Sequence, residues 1–112
     1  IVMDEDDIQV GINGETVPLP KKPVLRQAYP NPFNNSTRIE FSISRPGHVS
    51  IGIYDIKGKW ITSIVENHLS NGTHSFNWKG IDAPGNPVSS GFYLVVLKYA
   101  GFTASKKIVF LK

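Results

Sequence analysis

The sequence contains no cysteine, so neither a disulfide framework nor a thiolate metal site can stabilise the fold. A secreted eukaryotic domain of this size often carries a disulfide, and the absence of cysteine therefore favours a bacterial or an intracellular setting. No apolar run reaches the roughly 18 residues that a transmembrane helix needs. Residues 1–4 do not resemble a signal peptide, and we expect the chain to be a fragment of a longer protein. Its 112 residues are enough for one domain with its own apolar core.

Charge is also scarce. Charged residues make up 19% of the chain, and twelve basic residues against nine acidic ones give a net charge of +3. The basic residues form no tract, which argues against nucleic acid as a partner. Ten glycines and eight prolines supply many turns, and 40% of the residues are hydrophobic. This balance is typical of an all-β domain rather than a helical one.

The residue patterns of catalytic and metal sites are missing as well. Phosphate-binding glycine loops are absent, and neither Ser89 nor Ser90 follows the glycine that a nucleophile elbow requires. Asp82 occupies a turn that offers too few oxygen ligands for calcium, so we interpret it as a turn-stabilising residue. Three histidines lie in different segments and lack the spacing of zinc ligands: His48, His68 and His74. We therefore predict a protein that is not an enzyme and that uses no cofactor or metal.

What the sequence does contain is a series of short segments with alternating apolar and polar side chains. In residues 37–43, for example, Ile39, Phe41 and Ile43 share one face, as expected for a half-buried strand. Further segments of this kind are separated by turn residues: 49–54, 60–65, 74–78, 92–97 and 108–111. The alternation in residues 60–65 is blurred, and their faces stay unassigned. Together with an edge segment around Tyr29, these segments predict a β-sandwich of about seven strands.

The last quarter of the chain holds its most apolar pair of segments. Residues 92–97 and 108–111 are rich in β-branched and aromatic side chains and flank a turn at Ala100 and Gly101. We expect them to form a long antiparallel hairpin in the middle of a sheet. The end of the chain would then be an ordered strand that can be presented to a partner.

The segment from Tyr29 to Phe33 contains Pro30 and Pro32, and each proline pushes the preceding residue into extended geometry. Because two ladder donors are missing, the segment cannot be a central strand. We expect it to run along an edge or to cross between sheets, with Tyr29 and Phe33 anchored in the core.

The two tryptophans are predicted to have different environments. Trp78 shares a strand face with Phe76 and is expected in the core, whereas Trp60 lies beside two lysines and is expected to be exposed. Exposed aromatic rings that share a plane can stack on sugars, so carbohydrate binding stays open as an alternative.

Residues 1–24 differ from the rest of the chain, with an acidic run at 4–7 and prolines near the end. Within them, residues 8–12 can pair with 15–19 across Asn13 and Gly14. We interpret residues 1–24 as a linker or the tail of an upstream domain. The folded domain is predicted to span residues 25–112.

Several motifs occur in order across residues 25–112. They are Tyr29-Pro-Asn-Pro-Phe-Asn34, Arg38-Ile-Glu-Phe41, Tyr54-Asp-Ile-Lys-Gly58, Asn71-Gly-Thr-His74, Trp78-Lys-Gly80, Pro87-Val-Ser-Ser-Gly91-Phe-Tyr93 and Lys106-Lys-Ile-Val-Phe-Leu-Lys112. With these motifs the chain resembles the type A C-terminal sorting domain of type IX secretion. That family is related to the Ig-like domain of flagellar hook-capping proteins.

This resemblance implies an Ig-like antiparallel β-sandwich at the C-terminus of a larger exported protein, with a passenger N-terminal to it in the same chain. In that family the outer-membrane secretion machinery of diderm bacteria recognises the domain. A sortase-like peptidase often removes it, and the passenger is secreted or attached to the outer-membrane surface after crossing the periplasm. The sorting residues that the resemblance implies are Pro87, Gly91, Tyr93, Gly101, Lys106, Lys107 and Lys112.

Two alternatives to a sorting signal stay open: an accessory module that binds polysaccharide, and a structural Ig-like spacer of a secreted multidomain hydrolase. The terminal lysines do not decide between them. Lys106 and Lys107 are adjacent in a strand, so at most one of them faces inward unless a bulge intervenes. These lysines could also protect an edge strand from aggregation, which is compatible with sorting.

Overall fold

The structure is a computed structural model that describes residues 8–10, 16–18 and 22–112. These residues form nine strands: β1 (Ile8–Val10), β2 (Thr16–Pro18), β3 (Val24–Leu25), β4 (Thr37–Ile43), β5 (Gly47–Asp55), β6 (Trp60–Leu69), β7 (Gly72–Trp78), β8 (Gly91–Tyr99) and β9 (Phe102–Phe110). Strands β1 and β2 pair antiparallel, and they lie within the segments predicted to pair. Ile8 is opposite Pro18, however, one residue away from the Leu19 partner that a two-residue turn at Asn13 and Gly14 would give. The predicted turn at Asn13 and Gly14 and the acidic run at 4–7 lie outside the described residues.

Strands β3 to β9 form two antiparallel sheets. One has the order β3–β4–β7 and the other the order β6–β5–β8–β9. The described part of the chain contains no helix, and thus none that is long and apolar enough to cross a membrane. Seven strands in two packed sheets confirm the predicted Ig-like β-sandwich.

The core follows the predicted alternation. In β4, Ile39, Phe41 and Ile43 are buried, whereas the alternate positions are exposed or half-buried. Four rings from different elements meet at one end of the core and join the two sheets: Phe33, Trp78, Tyr93 and Phe110. The centroids of Phe33 and Phe110 are 4.9 Å apart, and those of Trp78 and Tyr93 are 5.2 Å apart. Such offset and edge contacts add about 0.5–1.5 kcal/mol per pair beyond the burial of area.

Strand β6 explains the blurred alternation of residues 60–65. Its pairing with β5 shifts register twice, once between Ile51 and Gly52 and once between Ile53 and Tyr54. Each shift is a bulge that adds one residue to β6 and reverses the faces beyond it. As a result, both Ile61 and Ile64 pack against the core although they are three residues apart.

The N-terminal edge of the sandwich differs from the prediction in two respects. The first strand of the three-stranded sheet is β3, in which Leu25 pairs with Phe41, and not the Tyr29 segment. Tyr29 forms a single bridge with Arg38, which points its ring outward, and its side chain is 80% exposed. The prediction that Tyr29 anchors in the core is therefore wrong. Ala28 and Phe33 are the buried residues of this segment.

The segment around Phe33 both follows an edge and crosses between sheets, as predicted. Tyr29 bridges β4 in one sheet, and Phe33 forms a parallel bridge with Phe110 of β9 in the other. Strand β8 is central, but β9 is the last strand of its sheet, so the hairpin does not lie wholly in the middle of a sheet as expected. The Phe33 segment takes the place of a further strand along part of β9.

Candidate functional site

The hairpin of β8 and β9 is closed by a two-residue turn at the predicted position. Tyr99 lies opposite Phe102, and the residues between them, Ala100 and Gly101, have φ values of +51° and +82°. Positive φ at both positions is the geometry of a type I′ turn, whose twist matches that of the flanking strands. Gly101 adopts this conformation freely, whereas Ala100 carries a Cβ atom in the left-handed region.

The other end of the hairpin is where the chain end lies. Gly91 is opposite Phe110, and the backbone N–H of Lys112 donates to Ser90 Oγ at 2.8 Å. The side chain of Lys112 is exposed. The start of β8 and the last residue therefore form one continuous surface at this end of the domain.

The predicted sorting residues do not all belong to that surface. Pro87 is exposed and precedes β8, where it forms a bridge with Ile81. Gly101 lies beyond the far end of the nine-residue β8, which places it roughly 27 Å from Gly91 at about 3.4 Å per residue. The structure thus separates Gly101 from Pro87, Gly91 and Lys112. The sorting role of each residue stays a prediction.

Tyr93 points into the core. Its side chain is 7% exposed and contacts Trp78 edge-on, and its hydroxyl donates to the Ser89 carbonyl at 2.6 Å. Burial raises the pKa of the Tyr93 phenol, and the negative charge of Asp55 raises that pKa further. Tyr93 therefore holds the loop before β8 in place, and a partner at the surface would contact that loop rather than the phenol.

Lys106 and Lys107 lie on opposite faces of β9, as predicted from their adjacency. Lys106 is half-buried on the inner face, between positions held by Ala104 and Ile108. Lys107 is exposed on the outer face, with Nζ 5.0 Å from the centroid of the Phe92 ring. Since β9 is an edge strand, the charges of both lysines would also discourage it from pairing with an edge strand of another molecule.

Part of the β9 edge is covered by side-chain amides from the Tyr29 segment. Asn31 Nδ2 donates to the Lys107 carbonyl at 3.2 Å, and Asn31 Oδ1 accepts from the Val109 N–H at 2.9 Å. Gln27 Nε2 donates to the same Lys107 carbonyl at 3.3 Å. Phe33 continues this row of hydrogen bonds along β9. We call the three residues Gln27, Asn31 and Phe33 the β9 clasp. The Phe33 N–H donates to the Val109 carbonyl, and the Phe33 carbonyl accepts from Leu111.

Sequence reasoning missed the clasp function of Gln27 and Asn31. The available signal was the position of Asn31 between two prolines, which have no N–H of their own to offer a neighbouring strand. A side-chain amide carries one donor group and one acceptor and can replace both backbone groups of a strand residue. The partner, however, lies 78 residues away in the chain, and local patterns do not reveal it.

The histidines do not assemble a metal site in the part of the chain that the structure describes, where no group of three His, Asp or Glu side chains could hold an ion. His48 and His68 are nevertheless direct partners across β5 and β6, a proximity that their spacing in the sequence hides. His48 Nε2 lies 3.3 Å from Glu66 Oε1. His74 contacts the Ser70 carbonyl at 2.7 Å and stacks on the ring of Phe41.

Asp55 and Asp82 are turn-stabilising residues. Asp82 Oδ1 accepts from the backbone N–H groups of Gly85 and Asn86 at 3.1 and 2.7 Å. Asp55 Oδ1 accepts in the same way from Lys57 and Lys59, both at 2.9 Å. These carboxylates satisfy backbone donors of tight turns, which agrees with the interpretation of Asp82.

The predicted environments of the tryptophans are confirmed. Trp78 is 2% exposed, and its Nε1 donates to the Ile81 carbonyl at 2.8 Å. Trp60 is 50% exposed, and its Nε1 donates to Ser63 Oγ at 3.2 Å. Trp60 therefore lies on the surface in a fixed orientation, on the outer face of the four-stranded sheet.

Solved structures of three proteins share this fold. Dimeric latent PorU from Porphyromonas gingivalis is 21% identical with a TM-score of 0.62, and the match covers 80% of this chain and 9% of PorU. PorZ, a surface component of the type-IX secretion system of the same bacterium, is 20% identical with a TM-score of 0.55 over 79% of this chain and 11% of PorZ. FlgD from Xanthomonas campestris, a protein of hook capping, is 23% identical with a TM-score of 0.53 over 81% of this chain and 63% of FlgD.

These similarities concern the fold, and the chain spans about a tenth of the length of PorU and of PorZ. No curated protein sequence matches the chain. Residues 31–101 match the family described as the FlgD Ig-like domain, a region that runs from Asn31 to the turn of the C-terminal hairpin. Since this region is well over half of the 112 residues, the protein belongs to the family of FlgD Ig-like domains.

Proposed function

We propose that this domain is a non-catalytic C-terminal signal for type IX secretion within a larger exported bacterial protein. Support comes from PorU and PorZ, because each contains a region of this fold and PorZ is a component of that secretion system. The outer-membrane machinery recognises the domain after the passenger has entered the periplasm. A sortase-like peptidase then cuts in the segment before residue 25, and the passenger is released or stays at the cell surface.

The observation that carries this proposal is the ordered backbone of residues 111–112 beside the start of β8. The Leu111 N–H donates to the Phe33 carbonyl at 2.9 Å, and the Lys112 N–H donates to Ser90 Oγ at 2.8 Å. The side chain of Leu111 is nevertheless 51% exposed. Because this backbone is already held in place, a receptor can bind the exposed side chains without the entropic cost of ordering the backbone.

Charge adds a second recognisable feature to this end. Lys107 and Lys112 are exposed, and in the described residues neither forms an ion pair within 4 Å. The buried neighbours Ile108 and Phe110 hold the strand between them. The surface therefore combines an exposed Leu111 with two lysines on a rigid frame, which suits a partner with acidic and apolar groups.

The test is export of a reporter passenger fused in front of the full 112-residue chain, in a bacterium that has a type IX system. Removal of residues 106–112 is a poor test, because it deletes the buried Ile108 and Phe110 and unfolds the domain. The double variant Lys107→Glu/Lys112→Glu leaves the core intact. We expect it to hold most of the passenger in the periplasm, while the control Lys79→Glu, on an exposed lysine after β7, exports normally.

Thermal unfolding of the purified variants checks that both remain folded. Normal export of the double variant rejects this surface as the signal, and failure of the unmodified fusion to leave the periplasm rejects the sorting function itself.

A structural or assembly domain is the second candidate, favoured by the family match and by FlgD. An assembly domain gives no export when fused to a passenger. It also leaves the export of its own parent protein unchanged when the domain is deleted. The same fusion and deletion therefore separate the two functions.

A further inference from the structure

Within the part of the chain that the structure describes, no other element packs against the outer face of the four-stranded sheet, and this face presents aromatic side chains from two neighbouring strands. Tyr54 on β5 lies opposite Trp60 on β6, and residues opposite each other in a sheet lie on the same face with Cβ atoms about 5 Å apart. The Trp60 ring is fixed by its hydrogen bond to Ser63. The Tyr54 ring covers Gly52, because a Cβ atom placed there would lie 2.9 Å from Tyr54 Cε1.

The apolar surface continues from these rings across the sheet. Leu94 on β8 lies opposite Tyr54 on its other side and is half-buried. Phe92 is 48% exposed, and Ile56, in the turn after β5, is 70% exposed. This set, which we call the ring face, comprises Tyr54, Ile56, Trp60, Phe92 and Leu94.

Positive charge surrounds the ring face. Four lysines on this face or in its adjoining turn are exposed: Lys57, Lys59, Lys98 and Lys107. Among the residues that the structure describes, none of these lysines forms an ion pair within 4 Å. Two carboxylates lie nearby: Asp55 accepts from two backbone N–H groups, and Glu66 lies beside His48 and is also influenced by the charge of Lys98.

We propose that the ring face binds an acidic polysaccharide. Trp60 and Tyr54 would stack on the apolar faces of pyranose rings, as planar aromatic surfaces do with C–H groups. Lys59 and Lys98 would pair with carboxylate or sulfate groups of the polymer, and the Ser63 hydroxyl lies on the same face for a sugar hydroxyl. Lys107 borders both this site and the sorting surface. Tyr54 and Trp60 lie on the flat of the sheet, away from the end of the hairpin, so a change at Trp60 tests this proposal without altering the sorting surface.

Charge complementarity favours an acidic polymer over a neutral one, because the four lysines outnumber the two carboxylates nearby, and the structure shows no ion pair within 4 Å for these lysines among the residues it describes. A single-stranded nucleic acid also combines stacking with phosphate contacts, but it needs a basic groove that tracks its backbone. The net charge of only +3 and the flat sheet surface do not provide such a groove.

The test is affinity electrophoresis and calorimetry with the full chain at about 0.15 M NaCl, where the Debye length is about 8 Å. The probes are polygalacturonate, alginate, methyl-esterified polygalacturonate as an uncharged polymer with the same backbone, and poly(dT). We expect both acidic polysaccharides to retard the protein and the methyl ester to have little effect. Trp60→Ala should weaken binding about five- to tenfold, the size of one stacking contact, and Trp60→Phe should restore most of it.

The matched controls are Tyr29→Ala, which removes an 80% exposed ring beside the other sheet, and Lys22→Ala, which removes an exposed lysine just before β3 of the other sheet. Both should bind like the unmodified chain. The proposal is overturned if neither acidic polysaccharide binds, if Trp60→Ala binds as well as the unmodified chain, or if the methyl ester binds equally. Tighter binding of poly(dT) than of both polysaccharides overturns it in favour of nucleic acid.

Discussion

The ring of Phe110 packs against the backbone of Gly80 so closely that a Cβ atom placed on Gly80 would lie 2.7 Å from Phe110 Cζ. Gly80 also has a φ of +71°, in the left-handed region. Phe110 has little room to move away, because its ring is 4% exposed and stacks on Phe33. The loop after β7 and the last strand are thus joined at a point where only glycine fits.

Gly80→Ala should therefore lower the free energy of unfolding by about 2–5 kcal/mol, the sum of left-handed strain of about 1–2 kcal/mol and overpacking of about 1–3 kcal/mol. Urea unfolding at 25 °C measures this loss. Gly58→Ala is the matched control, because Gly58 has a φ of +87° but no atom within 4 Å of its Cβ position. It should lose only about 1–2 kcal/mol. Equal losses at the two positions would show that the Phe110 contact contributes nothing.

At Ala100 a substitution should stabilise the domain rather than destabilise it. It is the non-glycine residue with positive φ among those the structure describes, and it precedes Gly101 in a type I′ turn. Asparagine tolerates this conformation, and Asn-Gly is the preferred sequence for such turns. Ala100→Asn should raise the free energy of unfolding by about 0.5–1 kcal/mol. Ala100→Val, which adds a β-branched side chain in the same conformation, should lower it. A drop in the urea midpoint for Ala100→Asn would contradict the turn geometry.

How much of this fold the sequence predicts depends on whether the interactions are local. Alternation in residues 37–43 places Ile39 and Phe41 correctly, because side-chain direction in a regular strand depends only on position. The same reasoning cannot place Ile61 and Ile64, since a bulge is defined by the partner strand and not by the bulged segment. Tyr29 was misplaced because its outward direction follows from its bridge to Arg38.

The candidate site shows the same limit. The turn at Ala100 and Gly101 is local and was predicted, and so were the opposite directions of Lys106 and Lys107. The edge position of β9 does not follow from the sequence, because strand order depends on contacts between distant segments. The clasp by Asn31 was missed for that reason too.

The β9 clasp leads to a prediction about Asn31. In Asn31→Ala the partly buried N–H of Val109 loses its acceptor, and the Lys107 carbonyl loses one of its two side-chain donors. An unsatisfied buried group costs about 1–3 kcal/mol, so the free energy of unfolding should fall by about that amount. Amide hydrogen exchange at Val109 and Leu111 should accelerate more than in the core strand β5.

Asn34→Ala is the control for the clasp, because Asn34 is exposed and lies in the same segment. It should change neither stability nor exchange at Val109. Asn31→Asp keeps the acceptor for Val109 but not the donor for Lys107, so its stability should lie between those of the unmodified chain and Asn31→Ala. A neutral effect of Asn31→Ala would mean that water replaces the amide and that the clasp adds no stability.

The carboxyl group of Glu66 should make the stability of the domain depend on pH in the acidic range. The Ser50 hydroxyl and then the His48 ring, at 3.3 Å, hydrogen-bond its carboxylate, and these contacts together with the charges of His48 and Lys98 lower the Glu66 pKa below its ordinary value of 4.5. A carboxyl whose pKa is lower in the folded than in the unfolded state stabilises the fold at pH values above 4.5. That contribution is lost as the pH falls through the lower, folded-state pKa. Glu66→Gln should therefore melt at a lower temperature than the unmodified chain at pH 7, and the two melting temperatures should converge in acid, once the pH has fallen below the folded-state pKa of Glu66. A carboxyl NMR titration checks the cause directly, and Lys98→Ala should raise the Glu66 pKa toward 4.5. If the difference between the two melting temperatures is the same at both pH values, the ionised carboxylate is not what stabilises this end of the β5–β6 pair.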